Sequence, residues 1–218
     1  IRQEQPVFRY LGNVVILHQG TTITCDSAFL SKKTNIIEAY SHVVVTKEET
    51  HLYGDYLYYD GNLSTGKMSG KEVKLVHKDA NLVTDVINFN SKTNSAYYNT
   101  SGTLTNADNK LISQRGYYFS NEKKCYFAGS VKMDGKDGRL FTDSLEYDTK
   151  DEIAYFYGPT RIYKKDSSYV YCEKGWYNRK TDQSNLFNNA IVITGAHKLY
   201  GQDIFYDKLN GYSRIVGD

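Results

Sequence analysis

Acidic side chains recur in this chain at near-regular intervals: Asp26, Asp55, Asp85, Asp143 and Glu173. Paired carboxylates perform acid–base work, as in glycoside hydrolysis, where one protonates the leaving group and the other attacks or activates water. That chemistry needs one pair converging on one bond. A ladder of acids places each carboxylate at the same point of successive structural units instead, where it reads as a cap for local backbone N–H groups in an Asx-turn role. The five histidines (His18, His42, His51, His77, His197) are scattered, and no GxSxG, HExxH or P-loop pattern occurs, so no catalytic residue and no cofactor is assigned. Asp134-Gly-Lys-Asp-Gly138 has the flavour of a calcium loop but too few ligands, and reads as a tight turn with no metal. Cys25, Cys125 and Cys172 are odd in number and lack CxxC spacing, which suits buried or idle thiols. The lysine pairs at 32–33, 123–124 and 164–165 fall in turns and read as solvated.

What must position such a ladder is a stack of similar elements. The chain has 218 residues with 21 tyrosines and only 2 prolines, a composition that favours strands and turns. Its net charge of +2, with acids and bases well mixed, lacks the basic field of a nucleic-acid binder. No run of 18 apolar residues supplies a membrane-spanning helix. The opening IRQEQPVFRY fits a processed protein and a trimmed piece of a longer one equally well.

The units themselves are legible. LYGDYLYYD (52–60) returns as LFTDSLEYD (140–148) and LYGQDIFYD (199–207). With Asp55 as position zero, equivalents fall at Asp26, Asp85, Arg115, Asp143, Glu173 and Gln202, in steps of 28 to 30 residues. Three residues earlier stands an aliphatic column: Ile23, Leu52, Leu82, Ile112, Leu140, Val170, Leu199. Two residues later the column includes Leu57, Ile87, Tyr117, Leu145 and Ile204, and four later Tyr59, Phe89, Phe119, Tyr147, Tyr177 and Tyr206. A small polar residue then closes the phrase, as Asp60, Asn90, Asp148, Asn178 and Asp207 do.

Residues two apart share a face of a strand, so these columns skip a beat at position zero. One extra residue that switches the inward face is what a β-bulge supplies. Each phrase therefore predicts a strand bent at its Gly-Asp-like step with its apolar side on one interior; the alternative is a loop between two short strands, and in either case the apolar columns face inward. A polar turn and a second, shorter alternating run follow (Val43–Val45, Val73–Leu75, Val131–Met133, Ile191–Ile193). Two strands per unit and seven units predict about fourteen antiparallel strands, no helix, and a single domain over residues 1–218.

Stacked units turn each column into a stripe along the interior. If the two walls meet, the stripes are a core. If they splay, they line a trough for alkyl chains, at roughly 0.8 kcal/mol per buried methylene. Aromatics also stand on the outward column (Phe29, Tyr58, Tyr118, Trp176, Phe205), and the first phrase (Val14 to Asp26) and last (Ile191 to Asp207) are the natural unpaired edges.

The phrases Gly12-Asn-Val-Val-Ile-Leu17 with Thr22-Ile-Thr-Cys-Asp26, and Val43-Val-Val-Thr46 with Leu52 to Asp60, resemble those of the OstA/LptA-like proteins of lipopolysaccharide transport. The resemblance covers nearly the whole chain. It implies an open antiparallel β-jellyroll of about seven two-stranded repeats of about 30 residues. It also implies a non-enzymatic role: a hydrophobic groove holding lipid A acyl chains across the periplasm of a Gram-negative cell, on the way to the outer membrane. The partners it implies are lipopolysaccharide or a similar amphiphile, and other transport jellyrolls joined by edge-strand addition, with head-to-tail association of copies included. The inward columns become the groove lining under that reading. So many tyrosines there need hydrogen-bond partners, or must line the rim with their hydroxyls wet. The alternative reading is a structural or glycan-binding β-repeat protein of the cell envelope.

Overall fold

A computed structural model of the chain describes residues 7–18, 20–136 and 138–217; Asp137, within the Asp134–Gly138 turn, lies outside them. The chain divides into two compact units, Ile1–Ala107 and Asp108–Asp218. In the first, β1 (Val7–His18), β2 (Thr21–Ser31), β3 (Ile36–Lys47), β4 (Thr50–Asp60), β5 (Thr65–His77) and β6 (Ala80–Asn90) pair in succession, each antiparallel to the next. The far side of β6 pairs with β7 (Ser95–Tyr98) and β8 (Gly102–Thr105), which together replace one bent strand. In the second unit, β9 (Asn109–Ser113) and β10 (Arg115–Phe119) pair with the two ends of β11 (Lys124–Gly135). The meander continues through β12 (Gly138–Asp148), β13 (Ile153–Lys164), β14 (Tyr169–Asn178), β15 (Gln183–Thr194), β16 (His197–Asp207) and β17 (Tyr212–Val216). The protein is all-β and antiparallel, and no helix occurs among the described residues.

Among the described residues seventeen strands stand where fourteen were expected, because β1 precedes the first phrase and two bent strands are each split in two. The second strand of each unit is also not short. It begins directly after the turn, so that β3, for example, runs from Ile36 rather than from Val43.

The bends are bulges. Between β3 and β4 the register passes from Tyr40↔Tyr56 to Val43↔Gly54, leaving Ser41 and His42 opposite Asp55 alone. Both bulged residues are left-handed (φ 62° and 50°). Gly12-Asn13 lies likewise opposite Asp26, Gly129-Ser130 opposite Asp143, and Asn188-Asn189 opposite Gln202. The extra residues thus sit on the strand ahead of each phrase, and the inward set steps from Leu52 and Gly54 to Leu57 and Tyr59. The position-zero side chain reaches forward to the next bulge: Asp55 Oδ2 accepts from the Lys71 backbone N–H (2.8 Å), Asp26 Oδ2 meets His42 Nδ1 (2.8 Å), and Glu173 Oε1 accepts from Asn189 Nδ2 (2.8 Å). So the ladder of acids caps bulges on the following strand. The Asx-turn role belongs to the closing residue instead: Asp60, Asn90, Asp148 and Asn178 each accept two turn N–H groups.

One copy is out of register with the sequence alignment. Left-handed residues end the turns at Asn35, Ser64, Asn94, Lys123, Glu152, Asp182 and Gly211, in steps of 29, 30, 29, 29, 30 and 29 residues. Position zero keeps those steps only if its fourth member is Gln114, not Arg115. Gln114 also lies against Gly129 as Asp55 lies against Gly70 and Asp143 against Gly158. The buried residues there are accordingly Leu111, Ser113 and Gly116. Ile112, Tyr117 and Phe119 fall on the other face, and Phe119 packs edge-on against Tyr126.

The turns form a ladder of their own. The N–H of Gly61 donates to the carbonyl of Asn35, and Thr149, Arg179 and Lys208 repeat this with Lys123, Glu152 and Asp182. At the last turn, hydrogen bonds from Gln183 Nε2 and from the Asn210 side chain and backbone hold the Asp207 carboxyl below the usual carboxylate range. A lowered folded-state pKa contributes stability that is present above the unfolded value, about 3.9, and is lost as pH falls through the folded one. Asp207→Asn is therefore expected to flatten the acid limb of a urea-midpoint-against-pH profile between about pH 5 and 2. An unchanged slope would mean that Asp207 has no share in acid unfolding.

Candidate functional site

The interior of each unit is graded. Nearest the bend, Ala28, Ala39, Leu57, Met68 and Val73 are fully buried in the first unit, as is Cys172 in the second. Both limbs of a strand join one cluster: Leu52 with Leu57 from β4, Val73 with Met68 from β5. The walls therefore meet at the bend, and there the stripes are a core. Away from the bend the same inward faces open. Val73 is followed by half-buried Leu75 and exposed His77, Ala190 by Val192 and Thr194, and Gly201 in the other direction by Leu199 and His197.

Neither the column three before position zero nor the column four after it is uniformly buried. Ile23, Leu52, Leu57, Tyr59, Ile87, Leu140, Leu145 and Ile204 are buried, whereas Leu82, Phe89, Tyr147, Val170 and Leu199 are half-buried. Tyr177 and Tyr206 stand at the rim, 37% and 44% exposed, against 7% for Tyr59. Two of these phenols are served at the wet end of the strand: Tyr177 donates to Asp182 (3.0 Å) and Tyr59 meets Ser91 (3.0 Å). Tyr59 and Phe89 stack at 6.2 Å, which extends the apolar wall outward from the core. Of the fourth copy's candidates, Ile112, Tyr117 and Phe119 stand outside the interior, and Leu111 and Gly116 take the inward places.

Glycine enters the inward column where the backbone of the next strand comes close. Gly175 faces Phe156 across β13–β14, and a Cβ there would sit 2.8 Å from the Asn185 carbonyl oxygen. On the outward face Phe29 packs sideways on Tyr40, Tyr40 on Tyr56, and Trp176 on Phe205. Tyr56 donates to Glu38 (2.7 Å), and burial together with that carboxylate raises its pKa.

Reactive chemistry finds little purchase here. Burial pushes the Cys125 and Cys172 thiols up to about 11, far from the thiolate a nucleophile requires. Among the described residues no three His, Cys, Asp or Glu side chains converge as a metal site would require. What the arrangement offers is apolar surface, closed at the bend and open toward the mouth.

Residues 1–140 and 129–203 match the sequence family described as OstA-like protein. Among solved structures, the chain is similar to LptH, titled the LptA homologous periplasmic component of the conserved lipopolysaccharide transport device from Pseudomonas aeruginosa. The identity is 19%, over 70% of this chain and 82% of that one, with a TM-score of 0.29. No curated protein sequence matches.

Proposed function

The chain belongs to the OstA-like protein family, and from that premise we propose that it binds lipopolysaccharide, or a similar amphiphile, and carries it non-enzymatically across the periplasm of a Gram-negative cell. The observation that carries the reading is the graded interior. Aliphatic and aromatic side chains continue both walls past a packed bend and stay half-buried, which leaves apolar surface for a chain that slides between the limbs. An acyl chain of about a dozen carbons gains on the order of 10 kcal/mol there before ordering costs. No reacting group is needed.

Partner chains add at the edges under the same proposal. β1 pairs with β2, and exposes Val7, Leu11, Val15 and Leu17. β17 pairs with β16, and exposes Tyr212, Ile215 and Val216. The C-terminal edge thus lies one strand beyond the last phrase. Apolar edges of this kind suit strand addition by another jellyroll or a second copy of this chain.

The test is capture of lipopolysaccharide and of its de-acylated form by the purified protein. Binding that requires the acyl chains is the expected result. Equal binding to both, or binding to neither, would make the interior a core and nothing more.

A further inference from the structure

The outer face of the second unit carries a charge pattern that the interior does not use. Arg139 and Phe141 on β12 point away from buried Leu140 and Thr142, and Arg161 and Tyr163 on β13 point the same way. Arg139 is in register with Tyr163 and Phe141 with Arg161, which sets the two guanidinium groups on a diagonal. The four side chains line one open depression of about 410 Å³. Phe141 and Tyr163 meet edge to face at 6.0 Å, Tyr163 and Tyr169 lie tilted at 5.2 Å, and the Arg161 guanidinium lies 5.8 Å from the Tyr171 ring. Among the described residues neither arginine forms an ion pair. Asp134 stands opposite Arg139 in the β11–β12 register without pairing with it, and exposed Lys132 adds a further positive charge on the same face.

We propose that this depression is a binding site for an anionic saccharide, a sugar ring bearing a carboxylate or phosphate. Arg139, Arg161 and Lys132 give this face more positive charge than Asp134 offsets, and an anion between the arginines is held by the paired donors that guanidinium offers to carboxylate or phosphate. Tyr163, 42% exposed, presents an aromatic surface on which the C–H face of a sugar ring packs. The depression is open and shallow, which suits a ring or chain laid on a sheet rather than an enclosed small molecule. A long polyanion such as nucleic acid fits less well, since the whole chain carries a net charge of only +2 and no extended basic track. The site faces away from the apolar interior and does not depend on what that interior holds.

Isothermal titration with tri-galacturonate, maltotriose, inorganic phosphate and a single-stranded oligothymidylate tests it. Tri-galacturonate is expected to bind saturably and maltotriose not to bind. Arg139→Gln and Arg161→Gln are each expected to weaken tri-galacturonate by about tenfold. Tyr163→Ala should weaken the sugar and leave phosphate unchanged. Lys67→Gln, an exposed cation of the first unit, should change nothing. These residues are exposed, so circular dichroism should match the unaltered protein. Competition by de-acylated lipopolysaccharide would assign the sugar to an amphiphile's headgroup, and its absence to a free acidic polysaccharide; either upholds the site. Equal binding of maltotriose, indifference to both arginine changes, an equal loss with Lys67→Gln, or tighter arginine-dependent binding of oligothymidylate would each overturn it.

Discussion

Leu57→Asp is expected to leave the first unit unfolded at neutral pH. Leu57 is fully buried and stands in register with Ala39 on one side and Met68 on the other, both fully buried as well. Truncating a leucine in such a place costs about 2–5 kcal/mol through lost transfer energy and the cavity left behind. A carboxylate in that space adds several kcal/mol more, since no partner there compensates its desolvation. Together these approach the whole stability of a domain, about 5–15 kcal/mol. The pH dependence identifies the cause. Burial raises the folded-state pKa of the new carboxyl, so its penalty is absent below the unfolded value, about 3.9, and grows as pH rises above it. Far-UV circular dichroism should therefore show a disordered first unit at pH 7 and partial recovery near pH 3, whereas Leu57→Met, which conserves volume, should lose less than about 1.5 kcal/mol. A folded Leu57→Asp with an unaltered urea midpoint at pH 7 would show that the walls stand apart in solution and that the bend is not a core.

That experiment bears on the question which the columns raised and could not resolve. Spacing alone made Leu57 and Leu145 equivalent to Leu82 and Leu199, because all are aliphatic and all face inward. Leu52 and Leu140 stand in the same column as Leu82 and Leu199 yet are buried, so exposure follows what each strand packs against in the folded sheet and not residue type or column. The bend itself was legible, because the beat skipped between Gly54 and Leu57 calls for a bulge, a corner or a break into two short strands, and both continuous and broken copies occur: β4 is continuous, whereas β9 and β10 are separate. Its placement on the preceding strand was not. The left-handed residues are Ser41-His42 in one copy and Asn188-Asn189 in another, and although histidine and asparagine tolerate that backbone, the types change from copy to copy and form no column. The slip in the fourth copy has a similar origin. Leu111 and Ile112 are both aliphatic, Gln114 and Arg115 both polar, and Tyr117 and Tyr118 identical, so the columns accept either frame. Only the turn's left-handed Lys123 and the contact of Gln114 with Gly129 distinguish them. The open pair Arg139 and Arg161 was invisible for a different reason: the residues are 22 positions apart in sequence and become neighbours through the β12–β13 register alone.

At the mouth the expected outcome is the reverse of that at the bend: Leu82→Asp and Leu199→Asp should fold and fail to hold acyl chains. Both residues are half-buried and border their units' cores rather than fill them, Leu82 opposite Leu75 and Leu199 opposite Val192. A carboxylate at such a point keeps part of its hydration, so the fold should lose no more than about 1–3 kcal/mol. Bound lipid would bring methylenes against it, forfeiting roughly 0.8 kcal/mol for each one that can no longer pack, and would strip the remaining water from the charge. Two displaced methylenes are enough for at least about a tenfold loss of affinity for intact lipopolysaccharide. Leu199→Ile should bind as the unaltered protein does. Residual affinity for the de-acylated form should be the same in all variants, because the change acts on the apolar contact alone. Folded Leu82→Asp and Leu199→Asp proteins that capture intact lipopolysaccharide undiminished would remove the acyl chains from the mouth. The graded interior would then be packing that thins toward the solvent, and the case for a lipid carrier would lose the observation on which it stands.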